Sequence, residues 1–335
     1  MSFSEKLEYR MRGVGKMGNG LERGSEIVLR KCLDLKRGEK VLVVTDDEKM
    51  NIGRALYHKA IELGSDAVLA VIRPREVSGQ EPPELISQAM QNADVVLCPT
   101  SKSLTHTNAR LEAVKAGARI ATMPGITEEM FCKGPISADY MEVEQITVKL
   151  AEILSNAKQC RVLTGGKYEL IMDLEGRRGV ASTGVYREKG ASGNLPSGEA
   201  YIAPVEDRAE GEFLVDGSIV GIGQLRDPVV LRLQKGRIAD IKGSLGAAVD
   251  KAIPDNILSR TIGELGIGTN PMARLTGVIL EDEKIYGSVH IAFGTNITFG
   301  GSIKAPSHID CVTLKPTVYI DEVPVIKEGN LMISV

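Results

Sequence analysis

Two residues near the end of the chain, His308 and Asp310, have the types and the spacing of metal ligands. Alternate residues of an extended strand point to the same face, so an imidazole and a carboxylate two positions apart converge on one point. Such a pair suits a hard or borderline divalent metal ion. The chain has four histidines in all, which makes each of them informative. Taken alone, the pair also fits a hydrogen-bonded surface contact, and further ligands must decide.

Three more residues of the second half are candidates for the same site, namely Glu199, Glu264 and His290. Glu199 ends a loop that contains Pro and Gly and that also fits a plain turn. Glu264 lies among glycine and apolar residues, where a carboxylate needs a cation or hydrogen-bond donors to stay ionised. The alternatives are a buried pair with an arginine for Glu264 and a hydrogen-bonded core histidine for His290. A set rich in carboxylates and without thiolates favours two adjacent divalent ions.

The composition limits the possible partners and compartments. The chain has 335 residues and a net charge of -3, which argues against a nucleic acid or an anionic membrane as partner. No apolar run is long enough to span a bilayer, and the first eight residues are too polar for a signal peptide. Five cysteines are scattered without a C-x-x-C pair, as in reduced proteins of the cytoplasm. We therefore expect a cytoplasmic protein that acts on a small peptide or another small molecule.

The candidate ligands lie in the second of two halves that differ in periodicity. In residues 1–157, short β-branched runs alternate with helical patterns, which predicts an α/β domain with a parallel sheet. In residues 158–335, strand patterns follow one another through glycine-containing turns, which predicts a mostly antiparallel, β-rich domain that binds the metal. The turn at 45–50, after the first strand, has three acidic residues and no glycine, so no dinucleotide cofactor is expected.

Several segments, in their order along the chain, resemble the aminopeptidase T/aminopeptidase S family of dinuclear metallo-aminopeptidases. The most similar segments of the second half are 194–199, 263–264, 290–294 and 308–310. The resemblance implies homodimers that release N-terminal amino acids from peptides, with two divalent ions such as Zn, Co or Mn in the second domain. The implied ligands are the five candidates above: Glu199, Glu264, His290, His308 and Asp310. Glu264, the most confined carboxylate, is the residue we expect to accept and return the proton of a metal-activated water.

The chain departs from the aminopeptidase pattern at Ile297, where the family has a tyrosine near the metals. Tyr286, shortly before His290, is a candidate to replace that tyrosine. The same superfamily contains 2,5-dihydroxypyridine dioxygenases, which use one iron. His290, His308 and Asp310 would also satisfy a facial triad for Fe(II), so a ring-cleaving dioxygenase acting on hydroxylated pyridines is the alternative function. A second alternative is a metal-bound binding protein without turnover. The two upstream glutamates favour the aminopeptidase.

Overall fold

A five-stranded sheet forms the centre of the first of two units into which the structure divides. The computed structural model describes residues 18–333. The first unit extends to Ser137 and also includes Tyr186–Gly193, whereas Ala138–Val185 and Asn194–Val335 belong to the second. Among the described residues, no helix is long and apolar enough to cross a bilayer.

The first unit alternates strands and helices. Its strands β1 to β4 are Lys40–Thr45, Asp66–Val71, Val95–Thr100 and Arg119–Pro124. Its helices α1 to α5 are Asn19–Glu26, Met50–Glu62, Glu84–Gln91, Asn108–Lys115 and Glu128–Cys132, with a π-helical turn at Ile27–Cys32 and 3-10 turns at Asp47–Lys49 and Pro135–Ser137. β1 pairs in parallel with β2 and with β3, and β3 pairs in parallel with β4. The short strand Ser192–Asn194 follows β4 in the sheet order. The predicted parallel α/β region is confirmed.

The second unit consists mainly of antiparallel strands. With Ser192–Asn194 counted as β8, its strands are β5 (Gln159–Thr164), β6 (Tyr168–Asp173), β7 (Val180–Ser182), β9 (Glu199–Ile202), β10 (Ala209–Val215), β11 (Ser218–Ile219), β12 (Gly223–Gln224), β13 (Val229–Gln234), β14 (Arg237–Lys242), β15 (Ile262–Gly268), β16 (Val289–Gly294), β17 (His308–Thr313), β18 (Thr317–Ile320), β19 (Val323–Lys327) and β20 (Asn330–Leu331). Its helices are α6 (Tyr140–Asn156), α7 (Gly246–Ala252) and α8 (Ile279–Asp282), with a 3-10 turn at Ile297–Phe299.

These strands form two sheets that contribute to one apolar core. The eight-stranded sheet has the order β14-β13-β10-β6-β5-β18-β19-β20, and the seven-stranded sheet has the order β12-β11-β17-β16-β15-β9-β7. Phe213 from the first sheet and Phe293 from the second belong to the same buried cluster. The turn at Lys235 and Gly236 has positive φ at both residues, as a tight hairpin with the twist of its strands requires. The predicted antiparallel region is confirmed.

The boundary between the two units lies earlier in the sequence than the boundary predicted between residues 157 and 158. They divide at Ser137 and Ala138, so α6 is part of the second unit. The reason is the apolar stripe of α6, because Leu150 and Leu154 are buried in the core that both antiparallel sheets share. Helical periodicity alone does not show against which unit such a stripe packs.

Candidate metal centre

One face of the seven-stranded sheet carries all five predicted ligand residues, on the adjacent strands β17, β16, β15 and β9. The opposite face of these strands is apolar: Cys311 of β17, Ile291 of β16 and Ile202 of β9 belong to the buried core. Because side chains alternate along a strand, the residues between these core positions point to the other face. The ligand face thus follows from the same alternation that buries the core.

Strand β15 needs one irregularity to bring Glu264 onto this face. Ile262 and Leu265 both belong to the core, although they are three positions apart. The pairing of β15 with β16 shifts its register between Ile262 and Glu264. An extra residue in a strand reverses the alternation after it, and here that residue is Gly263. Glu264 consequently lies opposite Ala292, which in turn lies opposite Asp310, so a small side chain separates the two carboxylates.

The carboxylate of Glu264 lies between the two imidazoles. Its Oε1 is 3.2 Å from Nε2 of His290, and its Oε2 is 3.3 Å from Nε2 of His308. Nε2 of His308 is also 3.4 Å from Oδ1 of Asp310. Nδ1 of His308 lies 2.8 Å from the carbonyl oxygen of Thr295 and donates to it, which leaves Nε2 available as a ligand. Ligand atoms of Glu264, His308 and Asp310 lie within 4.8 Å of one another, a spacing that suits one metal ion.

A second group of potential ligands adjoins the first. Ligand atoms of Glu199, Glu283 and His290 also lie within 4.8 Å of one another. The ammonium of Lys284 contacts this group: its Nζ is 2.6 Å from Oε1 of Glu199 and contacts Oε1 of Glu283. The other oxygen of Glu199, Oε2, is 3.6 Å from Nε2 of His290. Within residues 18–333, this Oε2 and Nδ1 of His290 are buried without a hydrogen-bond partner.

The electrostatics of the centre are those of a site that holds positive charge. Burial alone would raise the pKa of Glu264, but hydrogen bonds from His290 and His308 outweigh it and lower this pKa to about 2. Burial would lower the pKa of His290, but the hydrogen bond with Glu264 and the charge of Glu199 raise it to about 9. The pKa of His308 is likewise raised, because the charge of Asp310 outweighs the effect of burial. In the metal-free protein, protons on the imidazoles therefore balance the carboxylates.

The structure brings the five predicted residues together, while their role as ligands stays a prediction. Sequence reasoning missed Glu283 and Lys284, which follow two further acidic residues and resemble a solvated charged run. It also missed Phe299, whose ring centroid is 6.2 Å from that of His308 in an edge-to-face arrangement. Ile297, where the aminopeptidase pattern has its tyrosine, is 54% exposed. An aromatic side chain is therefore present beside the candidate ligands, but it belongs to Phe299, two positions after Ile297.

Comparison with known proteins finds a matching family, a curated relative and similar solved structures. Residues 25–333 match the NicX family, described as 2,5-dihydroxypyridine 5,6-dioxygenase. A 2,5-dihydroxypyridine 5,6-dioxygenase of Pseudomonas putida is 25% identical over 260 residues, which are 73% of either chain.

The structure of the Pseudomonas putida KT2440 dioxygenase aligns with a TM-score of 0.81 and 20% identity, over 94% of this chain and 97% of that one. AmpT from Thermus thermophilus aligns with a TM-score of 0.68 and 18% identity, over 94% and 99% of the two chains. These structural likenesses confirm the fold, whereas the family that matches is not the aminopeptidase family expected from the sequence.

The raised pKa of His290 predicts how the stability of the metal-free protein depends on pH. The folded protein holds this proton more tightly than the unfolded chain, whose histidines titrate near 6.5. The stabilisation is therefore fully present below pH 6.5 and is lost as the pH rises through about 9. Thermal unfolding in a chelator should show a falling melting temperature over this range, and His290→Gln should reduce the fall. A melting temperature that is equally pH-dependent in both proteins would contradict the assignment.

Gly266 predicts a second effect, because it lies directly opposite His290 on β15. A Cβ at position 266 would lie 2.0 Å from Nε2 of His290, so Gly266→Ala must displace the imidazole. We expect the affinity for a divalent ion to fall roughly tenfold or more, the size of effect seen when the support of a ligand is lost. Titration with Mn²⁺ measures it, with the wild-type protein as reference. Unchanged affinity in a folded Gly266→Ala protein would show that ion binding does not depend on the position of the His290 imidazole.

Proposed function

Since the chain belongs to the NicX family of 2,5-dihydroxypyridine 5,6-dioxygenases, we propose that it is an Fe(II)-dependent dioxygenase that opens the ring of 2,5-dihydroxypyridine. The observation that carries the proposal is the extent of the family match. Residues 25–333 include every strand of the ligand face together with Lys284 and Phe299. The match therefore concerns the candidate metal centre as well as the fold around it.

This assignment corrects the function expected from the sequence. The expectation of an aminopeptidase, and with it of a hydrolase or protease, is wrong, because the family match and the curated relative both carry the name of a dioxygenase. The expectation relied on Glu199 and Glu264 as ligands of two ions. In the structure Glu199 is already paired with the ammonium of Lys284, so its presence does not require a second ion. The function proposed here is the ring-cleaving dioxygenase that stood as the alternative in the sequence analysis.

The proposed ligands of the iron are Glu264, His308 and Asp310, with His290 beside them. Two carboxylates and an imidazole suit a divalent iron, and three protein ligands leave coordination positions open. When bound, ferrous iron supplies the capacity to react with dioxygen and to hold the oxygen atoms of a hydroxylated ring. The side chain of His308 is 28% exposed, whereas that of His290 is 1% exposed, so a substrate would reach the centre from the His308 side.

An aromatic wall beside His308 supports a planar ring as substrate. The ring of Phe299 stands edge to face with His308 and also with Tyr201, at 5.2 Å between the centroids of Phe299 and Tyr201. Phe299 ends the 3-10 turn Ile297–Phe299, and Gly300 follows with a positive φ that turns the chain sharply. Arg177 donates to the carbonyl oxygen of Gly300 at 2.6 Å and holds the turn in place. Phe299 and Tyr201 offer apolar surfaces on which a dihydroxypyridine could stack.

The proposed reaction is tested by oxygen consumption. Protein reconstituted with Fe(II) without air, and then mixed with 2,5-dihydroxypyridine in aerated buffer, should consume dioxygen and substrate in equal amounts, as a dioxygenase requires. Asp310→Asn should lose most of this activity because it removes a charged ligand of the ion. An iron-loaded wild-type protein that consumes no dioxygen with 2,5-dihydroxypyridine or other hydroxylated pyridines would contradict the proposal.

The aromatic wall leads to a test of substrate binding. Phe299→Leu keeps an apolar side chain but removes the ring, so KM for 2,5-dihydroxypyridine should rise roughly threefold to tenfold, in line with the worth of an aromatic pair. Ile297→Ala is the matched control, because Ile297 lies on the same 3-10 turn and is largely exposed. Steady-state kinetics with both variants decide the point. Equal KM values in wild type and Phe299→Leu would show that the ring does not contact the substrate.

A further inference from the structure

A lysine lies among the carboxylates of the centre with no access to solvent. The side chain of Lys284 is 1% exposed, and its Nζ is 2.6 Å from Oε1 of Glu199 while it contacts Oε1 of Glu283. A buried ammonium is stable only where opposite charges and hydrogen-bond acceptors surround it. The two carboxylates provide both. Lys284 is therefore an integral part of the charge balance of the centre and not a surface residue that folds over it.

This ammonium contacts the same two carboxylates that a second metal ion would use. Glu199, Glu283 and His290 form one of the two ligand groups of the centre, and Lys284 contacts the two carboxylates of that group. A divalent ion bound to Oε1 of Glu199 would lie about 2.1 Å from it and would need the same lone pairs. Because the two positive charges would lie within a few ångströms of each other, their repulsion disfavours the binding of a second ion while the ammonium is present. The other group, Glu264, His308 and Asp310, contains no such residue.

The backbone around Lys284 keeps the ammonium in this place. The carbonyl oxygen of Lys284 accepts a hydrogen bond of 2.9 Å from the backbone N–H of Asn270. A Cβ at Gly268 would lie 2.1 Å from the carbonyl oxygen of Ile285, so the chain after Lys284 crosses β15 at a distance that only glycine allows. With its main chain held on both sides and its side chain enclosed, Lys284 cannot easily withdraw to admit an ion.

We infer that Lys284 is a built-in substitute for a second metal ion and that it restricts the centre to one divalent ion per chain. The inference rests on the proposed function in one respect, namely that Glu264, His308 and Asp310 hold the catalytic ion. Removal of the ammonium leaves Glu199 and Glu283 buried without their counter-charge. Two such carboxylates, with His290 beside them, then form a vacant ligand group with a strong attraction for a divalent cation.

The test counts metal ions in a variant that lacks the ammonium. Wild type and Lys284→Ala are each saturated with Mn²⁺, passed through a desalting column and analysed for manganese per chain, and calorimetric titration gives the number of sites independently. We expect one ion per chain in wild type and two in Lys284→Ala. One ion per chain in a folded Lys284→Ala protein, or two in wild type, would overturn the inference.

The chain offers a matched control in Lys59. This lysine is also enclosed, with 3% of its side chain exposed, and its Nζ lies 3.1 Å from Glu22 and 2.8 Å from Glu62. Lys59→Ala thus removes a buried ammonium from between two carboxylates that are largely exposed and lie outside the candidate metal centre, and it should leave the count at one. If Lys59→Ala also gains an ion, loss of any buried lysine suffices and the inference fails.

Two further outcomes keep the inference distinct from the proposed function. If Lys284→Ala does not fold, Lys284→Ser with Mn²⁺ present during refolding replaces it, and two ions per chain in wild type would overturn the inference without any variant. If wild type holds one ion and Lys284→Ala holds two, but the iron-loaded wild type consumes no dioxygen, the inference stands and the proposed reaction fails. If wild type binds no ion, both fail.

Discussion

The centre depends on one constraint, the need to neutralise four neighbouring acidic side chains, three on one face of a sheet and the fourth, Glu283, directly after α8. Glu199, Glu264 and Asp310 are buried, and Glu283 is nearly so. Carboxylates removed from water stay ionised only beside cations or donors, and the chain supplies one fixed cation, Lys284, and two imidazoles. The remaining demand for positive charge is met by protons on the imidazoles in the metal-free protein, and a divalent ion would take their place. Metal binding would thereby be coupled to proton release.

The sheet meets this constraint with few special residues. Alternation along β9, β16 and β17 places the ligands opposite the core, and the register shift at Gly263 does the same for Glu264. Gly266 makes room for the imidazole of His290, and Gly268 makes room for the chain that carries Lys284. Ala292 lies between Glu264 and Asp310 in the cross-strand row. The small residues of this face are therefore as necessary to the centre as the ligands themselves.

Much of this could be predicted from the sequence, because the features involved are local. The strand alternation that pairs His308 with Asp310 and the isolation of Glu264 among glycines are visible in a few residues each. Lys284 could not be assigned in this way, since its run of charges resembles an exposed loop and only a tertiary crossing over Gly268 buries it. We propose that the choice between one ion and two depends on that residue. The number of acidic candidates alone favoured two ions, and with them the wrong reaction.

The central proposal is that the ammonium of Lys284, paired with Glu199 and Glu283, leaves the centre with one divalent ion. The most direct measurement is anomalous diffraction from crystals of the wild-type protein soaked in excess Mn²⁺. The account predicts a single peak bounded by Glu264, His308 and Asp310, with Lys284 still paired to Glu199. A peak between Glu199 and Glu283, alone or as a second site, would contradict it.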